Sequence, residues 1–196
     1  MLDLFEGLEG FSEYTDSATA KRDIDYLINK KRIPIIGKGV LDIGMGPGYM
    51  FEYLQKIGAD VYGFDTDKGW FGFNHIPGKT FFDVVANMPP ELYGTISTAL
   101  QYRLLELSRN PDDPKSFNKT IEATAKALVP NGHYVASFID DQVHFKNNEA
   151  LLSYEGKRLV KILENKFKKI EIEKMQHGRK NDALVIASSP ILLSSL

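Results

Sequence analysis

Residues 40–48 read VLDIGMGPG. Just upstream, Pro34 is followed by Ile35, Ile36, Val40, Leu41 and Ile43, a β-branched run too short for a helix and stopped by Gly44. This is the pattern of a buried strand delivering the chain into a loop. Downstream, Tyr49 to Ile57 carries Met50, Phe51, Leu54 and Ile57 on one helical stripe, with Gly58 placed to close it. Gly44, Gly46 and Gly48 remove the Cβ atoms that would hold a ligand away from the backbone, and they permit positive φ where the chain turns. The helix from Tyr49 directs its free N–H groups and positive dipole end back at the loop, which suits a carboxylate. Strand, glycine loop and helix together predict an open α/β sheet, whose ligands bind outside the carboxyl ends of its strands.

The spacing separates three kinds of nucleotide loop. A phosphate-cradling loop ends in Gly-Lys-Ser or Gly-Lys-Thr, whereas Gly48 is followed by Tyr49 and Met50. The dinucleotide fingerprint is G-x-G-x-x-G, whereas the glycines here fall as G-x-G-x-G, with Tyr49 where the third glycine of that pattern belongs. Asp42 precedes the first glycine by two residues. A carboxylate at that strand end repels a pyrophosphate and attracts an ammonium or sulfonium group, so the ligand should carry positive charge.

Working outward, Val61 to Phe64 forms a second strand ending at Asp65. Thr80 to Ala86 reads as a third strand and Gly94 to Leu100 as a fourth. Phe117 to Leu128 is a helix by periodicity, VPNG ends it, and His133 to Ile139 is a fifth strand with Asp140 and Asp141 beyond. A helix over Leu151 to Asn165 precedes two strands, Phe167 to Met175 and Ala183 to Ser188, joined as a hairpin through HGRKND. At the start, Leu4, Leu8, Phe11, Ile24, Leu27 and Ile28 are spaced as on amphipathic helices and predict a helical cap. Strands alternating with helices imply a mostly parallel sheet covered on both faces.

The acidic residue followed by alternate glycines, Asp42, Gly44, Gly46 and Gly48, resembles the first motif of the class I, Rossmann-like methyltransferases. Their second signature is an acidic residue ending the second strand, and VYGFD places Asp65 there, 17 residues after Gly48. KALVPNGHYVASF is similar to the family's entry into its fifth strand, and the closing hairpin matches too, so the resemblance spans most of residues 35 to 188. It implies a seven-stranded, mostly parallel, doubly wound sheet with an antiparallel C-terminal hairpin. The implied organisation is a single domain over 1–196: a helical cap and lid at 1–33, a Rossmann-like core at 34–188 and a tail at 189–196. It implies S-adenosyl-L-methionine as cofactor, S-adenosyl-L-homocysteine as product, and cofactor contacts at Asp42, Gly44, Gly46, Gly48, Tyr49, Asp65 and Thr66, with Asp65 on the ribose hydroxyls. Asn87 stands where the family places an acidic residue for the adenine amino group, and Asn87 with Met88 would frame that base. A rival alignment makes FDVVANMPP the fourth strand and NMPP a broken amino-methyltransferase motif. It leaves only Thr66 to Lys79 for a crossover helix and a third strand, which is too little chain.

Substrate-side signals are thinner, because methyl transfer demands an acceptor lone pair in line with the methyl group and little else. His144 and Asp140, past the fifth strand, are the general-base candidates. Tyr14, in FSEYTDSA, resembles the N-terminal tyrosine that closes over the cofactor in several small-molecule methyltransferases. Tyr102, His75 and His177 are weaker candidates, and Trp70, Phe71 and Phe73 read as core. Asp140 and Asp141 are adjacent, so on a strand they would point oppositely and chelate poorly; no metal is expected.

The 196 residues are 43% hydrophobic, 26% charged and 11% aromatic, an ordinary soluble composition, and the absence of cysteine excludes disulfides and thiolate chemistry. Asp3, Glu6, Glu9 and Glu13 oppose a signal peptide, so a cytoplasmic protein without membrane insertion is expected. Net charge is −2, although residues 155–180 hold nine Lys or Arg against four Glu. A small-molecule or peptide acceptor is therefore favoured over a nucleic acid. An RNA or amino-group methyltransferase, and a subunit that binds the cofactor without catalysis, are the alternatives.

Overall fold

The computed structural model describes residues 17–65, 80–81, 87–102, 116–138, 143–146, 149–175 and 183–191. β1 (Gly39–Ile43) is buried on both faces, which is why its apolar residues do not alternate with exposed polar ones and even Asp42 is enclosed. It pairs in parallel with β2 (Asp60–Phe64), Gly39 opposite Asp60 and Ile43 opposite Phe64, and with β4 (Ile96–Gln101), Asp42 opposite Leu100. β3 (Thr80–Phe81) extends the sheet beyond β2, and β5 (Leu128–Phe138) extends it beyond β4. β8 (Phe167–Lys174) and β9 (Ala183–Pro190) close it as an antiparallel pair, with β9 against β5. The order of the seven strands is β3-β2-β1-β4-β5-β9-β8.

Consecutive residues of the central strands enter opposite cores. Val40, Leu100 and Val135 pack with Ile24 and Leu27 of α1 (Ser17–Asn29) and with Phe51 and Leu54 of α2 (Tyr49–Lys56). Leu41, Ala99 and Tyr134 pack with Phe117 and Ile121 of α3 (Ser116–Ala127) and with Leu159 and Leu163 of α4 (Tyr154–Glu164). Two helices thus cover each face, as the predicted doubly wound architecture requires, and connections diverge between β1 and β4, where such sheets bind ligands. No helix among the described residues is long and apolar enough to cross a membrane.

Several elements differ from expectation. β1 begins at Gly39, because Gly37 at φ 68 turns the chain first and leaves Ile36 exposed. Thr80 and Phe81 are paired; residues 82–86 of the predicted strand lie outside the described residues. β4 lies at Ile96–Gln101 and Thr80–Phe81 at the sheet edge beside β2, so NMPP follows the third strand and the rival alignment falls. VPNG does not separate α3 from β5 but is a bulge inside β5. Leu128 pairs with Ile96 and His133 with Thr98, so residues 129–132 stand opposite Ser97 alone. A Cβ at Gly132 would lie 2.9 Å from both Leu128 Cβ and the Val129 carbonyl oxygen, so the tight bulge needs glycine.

A second sheet of two short strands, β6 (Val143–Lys146) and β7 (Glu149–Leu152), occupies sequence read as loop and helix start. α4 consequently begins at Tyr154 instead of Leu151, capped by Ser153, whose hydroxyl accepts the Gly156 N–H at 3.1 Å. β9 continues to Pro190, two residues into the predicted tail.

Candidate cofactor site

The loop after β1 is held against the end of β2 by its own backbone. The N–H groups of Gly44 and Met45 donate to the Phe64 carbonyl at 2.7 and 3.1 Å, and Gly48 N–H donates to the Met45 carbonyl at 2.9 Å. Gly46 N–H donates to Asp65 Oδ2 at 2.8 Å, so the carboxylate ending β2 is tied to the middle of the loop. Gly46 and Gly48 sit at φ 51 and 83, where L side chains are strained. A Cβ built at Gly46 would meet nothing within 4 Å among the described residues, which leave the backbone there open to a ligand. Gly48 caps α2 in the left-handed conformation without a side-chain cap, leaving first-turn amides directed at the loop.

Beneath the loop, Gly63 on β2 has a role that strand periodicity does not reveal. A Cβ there would fall 2.3 Å from Met45 Sδ and 3.0 Å from the Phe51 ring, so the absent side chain lets loop and helix settle onto the strand.

Two carboxylates meet at this edge. Asp42 is 4% exposed, and its Oδ2 has no hydrogen-bond partner among the described residues. Burial, reinforced by the neighbouring charge of Asp65, pushes its carboxyl up to about 7. A buried carboxylate whose oxygen lacks a donor is costly unless it takes up a proton or a cation reaches it.

The other predicted site residues divide. Tyr49 begins α2 beside the loop and is half-buried. Asn87 is exposed, while the Met88 side chain is buried in the core with Ile43, Phe64 and Leu92. Thr66, Tyr14, Asp140, His75, His177, Trp70, Phe71 and Phe73 lie outside the described residues. His144 is not in an edge loop but on β6, where its register partner Leu151 is 50% exposed.

Two groups at the carboxyl end of β4 escaped the sequence reading or were only weakly marked by it. Gln101 is 1% exposed and accepts the Tyr134 hydroxyl at 2.7 Å, while the Tyr134 ring stacks on Phe167 at 6.0 Å. Its signal was a polar residue ending an otherwise buried strand. Burial, then the charges of Asp23 and Glu173, hold the Tyr102 hydroxyl well above the ordinary phenol range, so it stays neutral and is a poor base.

No protein-family profile matches the sequence. The chain is similar to the ubiquinone biosynthesis O-methyltransferase of Pectobacterium carotovorum subsp. carotovorum (strain PC1), at 26% identity over 125 residues. That match covers 58% of this chain and 48% of the relative, so it spans about half the length of that protein. In three dimensions it is similar to a protein of Pyrococcus horikoshii OT3, with TM-score 0.66, 15% identity and coverage of 92% of this chain and 96% of that one. It is also similar to the 1,6-didemethyltoxoflavin-N1-methyltransferase of Burkholderia thailandensis, solved with 1,6-didemethyltoxoflavin and S-adenosylhomocysteine bound. There the TM-score is 0.61, at 16% identity over 93% of this chain and 83% of that one. In its strand order, its closing antiparallel hairpin and the glycine loop between its first strand and the helix that follows, the chain has the class I, Rossmann-like methyltransferase fold.

Proposed function

We propose that the chain is an S-adenosylmethionine-dependent methyltransferase acting on a small-molecule or peptide acceptor by direct displacement. The observation that carries this reading is the buried Asp42 carboxyl with an unpartnered Oδ2, beside a glycine loop whose backbone is open at Gly46. A phosphate-bearing ligand would be repelled there, whereas one bearing ammonium and sulfonium groups is attracted. Bound S-adenosylmethionine supplies a methyl group activated on a sulfonium sulfur, leaving S-adenosylhomocysteine when an acceptor lone pair takes it.

This chain's residues bind and orient. Asp42 balances positive charge, and the first-turn amides of α2 meet the carboxylate of the amino-acid moiety. Asp65, held by Gly46 N–H, accepts from the ribose hydroxyls. Because the Met88 side chain belongs to the core, its share in adenine recognition is its backbone amide, while exposed Asn87 offers its side chain. The acceptor side belongs to the carboxyl ends of β4 and β5, with Tyr14, Asp140 and His144 as candidates to close the site or take a proton.

Calorimetry with S-adenosylhomocysteine tests the cofactor: absence of binding overturns the reading. Asp65→Ala is expected to weaken affinity by about 1–3 kcal/mol, as for a lost charge-assisted hydrogen bond. Unchanged affinity would reduce Asp65 to a tie for the loop. Transfer of labelled methyl groups into small-molecule, peptide and RNA fractions then identifies the acceptor class, and label in none of them means binding without catalysis.

A further inference from the structure

Among the described residues, two buried side-chain atoms lack a hydrogen-bond partner, Asp42 Oδ2 and His133 Nδ1. His133 lies midway along β5, opposite Thr98 and Ser188. Asp42 lies near the carboxyl end of β1, close enough to Asp65 to feel its charge. Asp65 has its Oδ2 committed to Gly46 N–H, and that bond directs no donor to Asp42.

Among the described residues, Asp65 is the charged group that acts on Asp42. At the register of Asp42, β2 presents Gly63 and β4 presents Leu100, neither of which ionises. On α2, Glu52 and Lys56 are exposed, and the Tyr53 hydroxyl donates to Asp25 on α1 at 2.7 Å. Asp25 is itself paired with Lys21 at 2.5 Å. Asp23 and Glu173 act on Tyr102 beyond β4.

We infer that ligand binding at this site is coupled to the loss of one proton: Asp42 is protonated in the ligand-free protein near and below neutral pH, and a cationic ligand group displaces that proton to solvent. The inference rests on the proposed cofactor reading and goes beyond it, since binding alone does not require a proton to leave. Its physical basis is that a buried carboxyl whose Oδ2 finds no donor among the described residues, in the field of a second carboxylate, ionises at a high cost that a cation brought to it offsets. Burial and the charge of Asp65 bring the Asp42 carboxyl to about 7, within the range where the exchange is measurable. Ammonium and sulfonium groups share the required chemistry. S-adenosylmethionine carries both, while S-adenosylhomocysteine keeps the ammonium and has a neutral thioether.

The test is calorimetry of both ligands at pH 6.5 in buffers of differing ionisation enthalpy, together with Kd values between pH 5.5 and 8. The expected result is an enthalpy that varies with the buffer in proportion to roughly half a proton or more released, and an affinity that weakens about tenfold per pH unit below pH 7. Equal release with both ligands assigns the cation to the ammonium group, and release with S-adenosylmethionine alone assigns it to the sulfonium. Asp42→Asn, with its fold checked by circular dichroism, is expected to bind more weakly and to lose the buffer dependence. Intact binding by the unaltered protein with buffer-independent enthalpy overturns the coupling while leaving the cofactor reading standing, and so does a buffer dependence that persists in Asp42→Asn. Absence of binding at every pH overturns the cofactor reading, and the coupling with it.

Discussion

A carboxyl that is 4% exposed and lacks a partner for Oδ2 holds its proton more tightly in the folded chain than in the unfolded one. For Asp42 burial, with the charge of Asp65, raises the value from the ordinary 3.8 to about 7. Protonation is thus favoured by folding, and the ligand-free protein loses stability as pH rises from about 4 through 7, with the full cost present above 7. At 1.36 kcal/mol per unit this amounts to on the order of 4 kcal/mol. Asp42→Asn is expected to unfold at a higher temperature than the unaltered protein at pH 8, with the gap closing toward pH 4; thermal denaturation across that range checks it. A gap independent of pH would mean the carboxyl is not buried as described. The same residue was legible as a cation-seeking group from its place before alternate glycines. Its isolation was not, because which donors reach an oxygen depends on packing from β2, β4 and α2.

Among the elements, those with strong internal signals were read closely. α2 spans Tyr49–Lys56 and is capped by Ile57 before Gly58 at φ 88, and β8 and β9 pair as the predicted hairpin. β6 and β7 were missed, since four-residue strands carry too little periodicity to distinguish pairing from coil or from the start of a helix. Their formation moves the start of α4 to Tyr154 and gives Ser153 its task as N-cap. Ser153→Ala should therefore cost about 1 kcal/mol, read as a lower denaturation midpoint with an unchanged denaturant slope. No change in midpoint would place the start of the helix elsewhere.

Across the whole molecule, Tyr134 joins three strands: it lies on β5, donates to Gln101 at the end of β4 and stacks on Phe167 at the start of β8. Its hydroxyl is held far above the ordinary phenol range by burial, so it acts only as a neutral donor. Tyr134→Phe keeps the stack and leaves a buried amide oxygen without that donor, with an expected loss of about 1–3 kcal/mol in unfolding experiments. A loss much below that range would show the amide re-paired. The parallel sheet, the glycine loop and the carboxylates of Asp42 and Asp65 were determined by the sequence itself, because alternation, turn chemistry and spacing are properties of neighbours along the chain. Only the tertiary structure decided that Gly63 seats Met45 and Phe51, that residues 129–132 bulge within β5, and that Asp42 is buried with no partner for its Oδ2 among the described residues. Clearance, pairing and burial are set by segments distant in sequence that meet only when the sheet closes between its helices.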